Sequence, residues 1–311
     1  MLIPLIIFSA ALFIDGATDC ANCVTGAHSS NAMSLRAAVI TNAALSFLGC
    51  VLFSLFFPSV AKASSSAVTI PSEYTAEAVV ASLLSVALWS GFAWLLGLPT
   101  SEGHGLIAAT AGAAFCLGGE IYAKQLAFIF LSVFPCAALA AVLSKIFCLF
   151  LKRMKDDSCR IPIILSAVAS SFFHGAQDGQ KFIALAMSAS LINEKNRISL
   201  TLLFSFFMAV GAFFGKRIIR KMGEEMVQAD KRSALGADLG SVSALSLLTL
   251  LGVPASTTHL KIVSLAFSSK IFKNPSQREI FILTAVAWLA TFPICFFLGF
   301  FLSKLIFVIK L

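Results

Sequence analysis

Ten apolar stretches, separated by short polar segments, make up most of this chain and limit what it can fold into. Only 12% of its 311 residues are charged, whereas 59% are hydrophobic and the mean hydropathy is +0.93. Soluble domains carry about 25% charged residues, so a water-soluble globule is excluded. Because one helical crossing takes about 20 residues, the length suits roughly ten membrane segments and no large soluble domain. The stretches lie at 1–30, 36–61, 77–97, 104–118, 125–150, 161–191, 198–215, 234–251, 259–272 and 279–303.

The basic residues lie between these stretches, which explains the net charge of +8 without a nucleic-acid partner. The positive-inside rule assigns such Lys- and Arg-rich segments to the cytoplasm. With residues 151–160 inside, the basic clusters at 216–232 and 270–278 also fall inside, and both termini fall outside. We therefore expect a multi-pass protein of the inner (plasma) membrane, embedded in the lipid bilayer.

Two landmarks of the chain occur twice. Gly16-Ala17-Thr18-Asp19 returns as Gly175-Ala176-Gln177-Asp178, an offset of 159, and Gly97–His104 returns as Gly252–His259, an offset of 155. Nearly equal offsets of unrelated landmarks indicate two homologous halves. We predict a first repeat over 1–150, a cytoplasmic linker over 151–160 and a second repeat over 161–311. An odd number of crossings per half makes the repeats inverted, as in many secondary transporters.

The predicted fold class is an all-α polytopic membrane protein with two inverted repeats of about five membrane segments each, including broken or re-entrant helices. Breaks are expected near 15–22 and 174–181, where Gly and Asp interrupt apolar stretches. Two further helices are expected to begin after Gly-Leu-Pro and Gly-Val-Pro, at 104–118 and 259–272. A broken segment either crosses the membrane or returns as a re-entrant hairpin.

Ionisable side chains inside apolar stretches are expensive and are candidates for function. Asp19 and Asp178 occupy equivalent places in the two halves. There a carboxylate and freed backbone carbonyls are suited to a small cation such as Na+, although two ordinary helix caps are the alternative. Lys181 would either neutralise Asp178 or attract an anion, and Asp238 is either a further cation ligand or an interfacial cap. Asp15 and Lys261 are the other ionisable residues in such positions.

Hydroxyl side chains fill the first turns of both helices that follow a proline. Helix N-termini attract anions through free N–H groups and the helix dipole, so two of them can converge on one tetrahedral oxyanion. Simple capping is the alternative. These hydroxyl residues are Thr100, Ser101, Ser256, Thr257 and Thr258. Nearby His104 and His259 are either hydrogen-bonded core residues or proton carriers, and Glu102 caps its helix or titrates.

Four motifs resemble the signatures of the inorganic phosphate transporter (PiT) family. Phe172–Phe182, read FFHGAQDGQKF, is similar to the second signature, HGANDxQK, and Gly16–Asn22 to the first, GANDxAN. Pro99–His104 resembles the PTSESH form of some bacterial members and Pro254–His259 the PVSTTH form. The resemblance covers both halves of the chain.

This resemblance implies import of inorganic phosphate by symport with Na+ or H+ through alternating access, usually by a homodimer. By motif position, Asp19, Asn22, Asp178 and Gln180 carry over as cation- and substrate-site residues, and the five hydroxyl residues above as phosphate contacts. Thr18 and Gln177 stand where the motifs have Asn, and Gly103 replaces a Ser or Thr. These departures keep open two alternatives, a permease for sulfate or another oxyanion and a transport-dead membrane sensor or scaffold.

An enzyme is disfavoured by the motifs that the chain lacks. An intramembrane aspartyl protease would use Asp19 and Asp178 as a dyad, but the usual GxGD context is missing and no HExxH occurs. We therefore expect a transporter that needs no cofactor beyond its coupling ion.

Overall fold

The computed structural model describes residues 2–96, 98–188, 192–222, 230–268 and 275–310. The first half contains α1 (Leu2–Ser29), α2 (Leu35–Phe56), α3 (Ser59–Ser65), β1 (Val68–Thr69), α4 (Thr75–Leu96), α5 (Glu102–Cys116), β2 (Glu120–Ile121) and α6 (Ala123–Leu151). The second half contains α7 (Arg160–Ser188), α8 (Arg197–Ala212), α9 (Lys216–Arg220), α10 (Lys231–Leu250), α11 (Thr257–Ser268) and α12 (Pro275–Lys310).

The predicted all-α membrane fold is confirmed. Within the described residues, each of the ten apolar stretches contains a helix of at least 12 residues, and seven helical segments are long and apolar enough to cross a membrane. Helix starts follow local chemistry: Asp230 accepts hydrogen bonds from the backbone N–H groups of Arg232 and Ser233 and so caps α10. Of the predicted basic clusters, residues 223–229 and 269–274 lie outside the described residues, as does Gly97.

The two halves follow the same helix order and pack crosswise on each other. Helix α1 packs on α8 as α7 packs on α2, and α12 lies against α4 and α5 as α6 lies against α10 and α11. Each of these contacts between the halves therefore occurs twice, once with each half in either role.

Glycines permit the closest of these crossings. A Cβ at Gly16 would collide with the carbonyl oxygen of Met208 on α8, and one at Gly175 with that of Ser46 on α2. The expected helix breaks near 15–22 and 174–181 are therefore wrong, because α1 and α7 run through these positions without interruption. The glycines there let two backbones touch and do not unwind the helix.

The breaks at the two proline landmarks are confirmed. In the first half, α4 ends at Leu96 and α5 begins at Glu102. In the second half, α10 ends at Leu250 and α11 begins at Thr257. Because β1 pairs antiparallel with β2, the start of α4 and the end of α5 lie together, so these helices form a hairpin. We call it the first hairpin, with its tip at 98–101, and the equivalent α10–α11 pair the second hairpin, with its tip at 251–256.

Candidate functional site

Four buried ionisable side chains meet where α1 crosses α7, and we call them the central cluster: Asp15, Asp19, His174 and Asp178. One ligand atom from each lies within 4.8 Å of all the others. Nε2 of His174 is 3.8 Å from Asp15, 4.0 Å from Asp19 and 3.8 Å from Asp178. With the offset of 159, Asp15 is the counterpart of His174 and Asp19 that of Asp178. Counterparts that touch each other must lie on the axis that relates the two halves.

The central cluster carries acceptor atoms that have no donor. Both carboxylate oxygens of Asp15 are buried without a hydrogen-bond partner, and so is Nε2 of His174. A buried carboxylate without a partner is costly unless a cation or a proton neutralises it. The carboxylate oxygens of the central cluster therefore fit a small hard cation, which prefers carboxylate and hydroxyl oxygens as ligands.

The tip of the second hairpin contacts the central cluster directly. The Thr257 hydroxyl lies 2.9 Å from Oδ2 of Asp19 and 3.2 Å from Oδ2 of Asp178, within hydrogen-bonding distance of both. The Thr258 hydroxyl lies 3.0 Å from Oδ1 of Asp19 and 2.7 Å from the backbone oxygen of Thr100 in the first tip. The residues predicted for a cation and those predicted for an anion thus form one site where both hairpin tips meet.

Asn22 and Lys181 are also counterparts, and each donates to the aspartate three residues before it. Nδ2 of Asn22 is 2.7 Å from Oδ1 of Asp19 and 2.9 Å from the Thr258 hydroxyl. Nζ of Lys181 is 2.5 Å from Oδ1 of Asp178 and 2.8 Å from the backbone oxygen of Ala255. One half therefore supplies its aspartate with an amide and the other with a full positive charge.

Both hairpin tips hold a serine–histidine contact. Ser101 Oγ lies 2.8 Å from Nδ1 of His104, and Ser256 Oγ lies 2.6 Å from Nδ1 of His259. The two imidazole rings have centroids 5.9 Å apart. In the first tip the Thr100 hydroxyl also donates to Glu102, whose carboxylate is buried.

The two departures at the motif asparagines, Thr18 and Gln177, have different structural consequences. Nε2 of Gln177 donates to the backbone oxygens of Val253 and Ala255, 3.0 and 3.3 Å away, and so holds the second tip. The hydroxyl of its counterpart Thr18 instead donates to carbonyls of its own helix, those of Ile14 and Asp15.

Gln180, a predicted substrate- and cation-site residue, bonds elsewhere. Its side chain donates to the backbone oxygen of Ala176 and accepts from the backbone N–H of Ala61, so it holds α3 against α7.

Asp238 is not an interfacial cap, because it lies within α10, whose cap is Asp230; its role as a further cation ligand stays a prediction. It is buried between the helices and forms an ion pair with Lys261 of α11. The Ser166 hydroxyl donates to its other oxygen at 3.4 Å. With the offset of 155, the counterparts of this pair are Leu83 and Leu106, both buried in the first hairpin.

Sequence reasoning named Asp15 as an ionisable residue in an apolar stretch but assigned neither Asp15 nor His174 to the site. The signal was present, because each directly precedes one copy of the repeated Gly-Ala. Two ionisable residues at equivalent places on crossing helices predict a contact between them.

Comparison with known proteins gives concordant results. The profile described as the phosphate transporter family matches residues 15–160 and again 155–299. A probable low-affinity inorganic phosphate transporter of Bacillus subtilis (strain 168) is 27% identical over 315 residues, covering 92% of this chain and 91% of that protein. The low-affinity inorganic phosphate transporter PitA of Escherichia coli (strain K12) is 30% identical over 213 residues, covering 56% and 42%.

A solved structure described as the sodium-dependent phosphate transporter has the same fold. It superposes with a TM-score of 0.85 and covers 99% of both chains at 17% sequence identity. The double match of the family profile agrees with the repeated helix order described above.

Proposed function

The chain belongs to the phosphate transporter family, and from this premise we propose that it carries inorganic phosphate across a membrane in symport with a cation, Na+ or H+, by alternating access. Family membership places it among transport proteins and not among enzymes. The names of its relatives support phosphate as the cargo, and the sodium-dependent neighbour favours Na+ as the coupling ion.

Phosphate would bind at the two hairpin tips. Two helix N-termini meet there, and their backbone N–H groups and dipoles favour an oxyanion. The hydroxyl residues of both tips add neutral donors without a further buried charge. They are Thr100, Ser101, Ser256, Thr257 and Thr258, with Asn22 beside them and Lys181 as the nearby positive charge.

The contacts of Thr257 and Thr258 with the central cluster carry the proposal. In this state the Thr257 hydroxyl can donate to Asp19 or Asp178, and the Thr258 hydroxyl to Asp19 or to the backbone oxygen of Thr100. A cation bound to those carboxylates competes for the same oxygens and frees the hydroxyls to donate to phosphate. It also removes the repulsion between phosphate and unneutralised carboxylates. Cation and anion would therefore bind together.

Assembly and orientation follow the same proposal. We place the protein in the plasma membrane with residues 151–160 in the cytoplasm and both termini outside, as a homodimer of chains with inverted repeats at 1–150 and 161–311. It would need no cofactor beyond the coupling ion. Sulfate is the competing cargo, because neutral hydroxyl donors accept either tetrahedral oxyanion.

Uptake of radiolabelled phosphate into proteoliposomes tests the function. We expect uptake to require an inward gradient of Na+ or of H+, and excess sulfate to leave it unchanged. Equal uptake with and without both gradients would contradict symport, and full inhibition by sulfate would assign a different cargo.

Two variants test the site. Asp19→Asn and Asp178→Asn should each lower cation-dependent uptake by about a hundredfold or more, since Asp19→Asn removes a carboxylate that the cation needs and Asp178→Asn leaves the Lys181 charge unpaired beside it. Asp157→Asn, at a fully exposed aspartate, is the matched control and should transport normally. Normal uptake by both site variants, with all three proteins equally inserted, would refute the assignment.

A further inference from the structure

A cavity of about 410 Å³ lies between α6 and α12 beside the two hairpin tips. This volume lies in the range of small-molecule sites. Ser101, His104, His259 and Thr291 form its polar part, and none of the four central-cluster residues lines it. Most of the remaining wall is apolar and aromatic and includes Phe130, Phe134, Ala137, Trp288, Leu289 and Phe292. We call it the lateral cavity.

The lateral cavity borders the lipid-facing surface. Phe134 of α6 is 58% exposed and Leu289 of α12 is 61% exposed. Both residues lie in helices that are long and apolar enough to span the membrane, so their exposed faces contact hydrocarbon. A ligand dissolved in the bilayer can therefore enter between these helices without passing through water.

The polar part presents hydrogen-bond donors. The backbone N–H of His259 donates to Ser256 Oγ at 3.3 Å, so this oxygen accepts there and its own hydrogen is available to Nδ1, 2.6 Å away. An imidazole that accepts at Nδ1 carries its hydrogen on Nε2. Ser101 and His104 repeat the contact between Oγ and Nδ1 at 2.8 Å, and we assign His104 the same tautomer; it is 6% exposed. Its Nε2 makes no hydrogen bond within the described part of the chain.

The depth of these imidazoles limits the charge of a ligand. His104 and His259 are counterparts that touch each other, so they lie at the axis between the halves. In inverted repeats this axis runs in the membrane plane, near the middle of the bilayer. A charged head group at that depth is expensive, and the ester groups of phospholipids stay near the membrane surface.

We propose that the lateral cavity binds a long-chain fatty acid in its neutral, protonated form. The carbonyl oxygen accepts a hydrogen bond from an imidazole Nε2–H, and the acyl chain lies along the aromatic wall of α6 and α12 towards the lipid. Binding at this cavity uses no central-cluster residue, but it shares Ser101 with the proposed phosphate contacts, so the test below measures binding directly and not through transport.

Trp288 provides the test, because it lines the lateral cavity and its ring packs at a tilt against His259, with ring centroids 4.0 Å apart. The chain has three tryptophans, so Trp89→Phe and Trp94→Phe leave Trp288 as the sole tryptophan, whose fluorescence is excited selectively. The detergent-purified protein is titrated with dibromostearic acid, with its methyl ester and with a dibrominated alkane of equal length. We expect saturable quenching by the acid and the ester, and affinity about tenfold weaker for the alkane, which has no carbonyl group.

A pair of α6 variants tests the place of binding. Ala137→Phe fills the lateral cavity and should weaken quenching by the ester at least tenfold. Val142→Phe is the matched control, since Val142 is on the same helix and is 56% exposed to lipid. Ala141→Leu is a second filling variant if Ala137→Phe does not give a monodisperse protein.

Three results would overturn the proposal. Quenching that rises linearly and equally in all variants would mean bulk partition alone. Equal affinity for the alkane would remove the role of the imidazoles. Saturable quenching by brominated phosphatidylcholine that Ala137→Phe abolishes would make a phospholipid the occupant.

Discussion

The two halves of this protein share their helix order but distribute buried charge differently. In the first half, Asp15, Asp19 and Glu102 are buried, and among the described residues none of them pairs with a lysine or arginine. In the second half, Asp178 pairs with Lys181 and Asp238 with Lys261. The second half therefore neutralises its own carboxylates, while in the first half the described residues place only His174 of the other half near Asp15 and Asp19. A shared backbone has become two unequal electrostatic environments.

The hairpins show that the fold itself does not require the charges. Where the second hairpin has Asp238 and Lys261, the first has Leu83 and Leu106, which are equally buried and belong to one apolar cluster. Side chains of comparable size fill the same place in both hairpins. An ion pair and a pair of leucines thus occupy equivalent buried positions in the two hairpins. We expect that either pair can be introduced into the other hairpin by substitution.

The largest effect is expected from breaking the second hairpin's ion pair on one side. Lys261→Leu leaves Asp238 buried and unpaired, which should cost about 3–5 kcal/mol of the free energy of unfolding. The double variant Asp238→Leu/Lys261→Leu copies the first hairpin and should be as stable as the original protein or up to about 1–4 kcal/mol more stable. Thermal unfolding in detergent measures both. Equal losses in the single and the double variant would contradict the equivalence of the hairpins.

An intermediate effect is expected when the first half receives its own cation. Asn22→Lys places an ammonium three residues after Asp19, as Lys181 stands after Asp178. The ammonium should occupy the place of the coupling cation, so the ratio of phosphate dissociation constants without and with Na+ should fall about tenfold or more, a change of about 1.4 kcal/mol.

Radioligand binding to the purified protein measures this ratio. Asn22→Gln retains an amide and is the control, for which the dependence on the cation should persist. An unchanged dependence in Asn22→Lys would mean that the cation binds away from Asp19.

The smallest effect is expected at the two motif departures. Gln177→Thr copies Thr18 and removes two hydrogen bonds to the second tip, each worth about 0.5–1.5 kcal/mol. Thr18→Val removes bonds to carbonyls that the helix already satisfies, and should change stability by about 0.5 kcal/mol or less. Melting temperatures rank the two variants. If Thr18→Val is the more harmful, the two departures do not differ in the way that their contacts indicate.

Much of the fold could be predicted from the sequence, because long apolar stretches and prolines act locally. The break before Glu102 follows from Pro99, which cannot continue a helix in the usual way. The glycines of α1 and α7 were misread as breaks, because the same residue permits either an unwound turn or a close crossing. Only the position of the opposing carbonyl, that of Met208 for Gly16, distinguishes the two.

The sequence predicts one set of residues for a cation and another for an anion, but not that the two sets form a single site. Asp19 and Thr257 are 238 positions apart, and their contact depends on how a hairpin tip meets a crossing helix. The pairing of Asp238 with Lys261 likewise depends on the register between α10 and α11, which the pattern of apolar residues does not determine.

The crosswise glycine contacts also have a consequence for biosynthesis. Gly49 on α2 receives the carbonyl oxygen of Phe172, and Gly211 on α8 receives that of Phe13. The surfaces made by the first-synthesised helices are therefore completed only by helices that leave the ribosome much later. We therefore expect the surface of α2 around Gly49 to stay unpacked until α7 is synthesised. The two halves would then fold together and not one after the other.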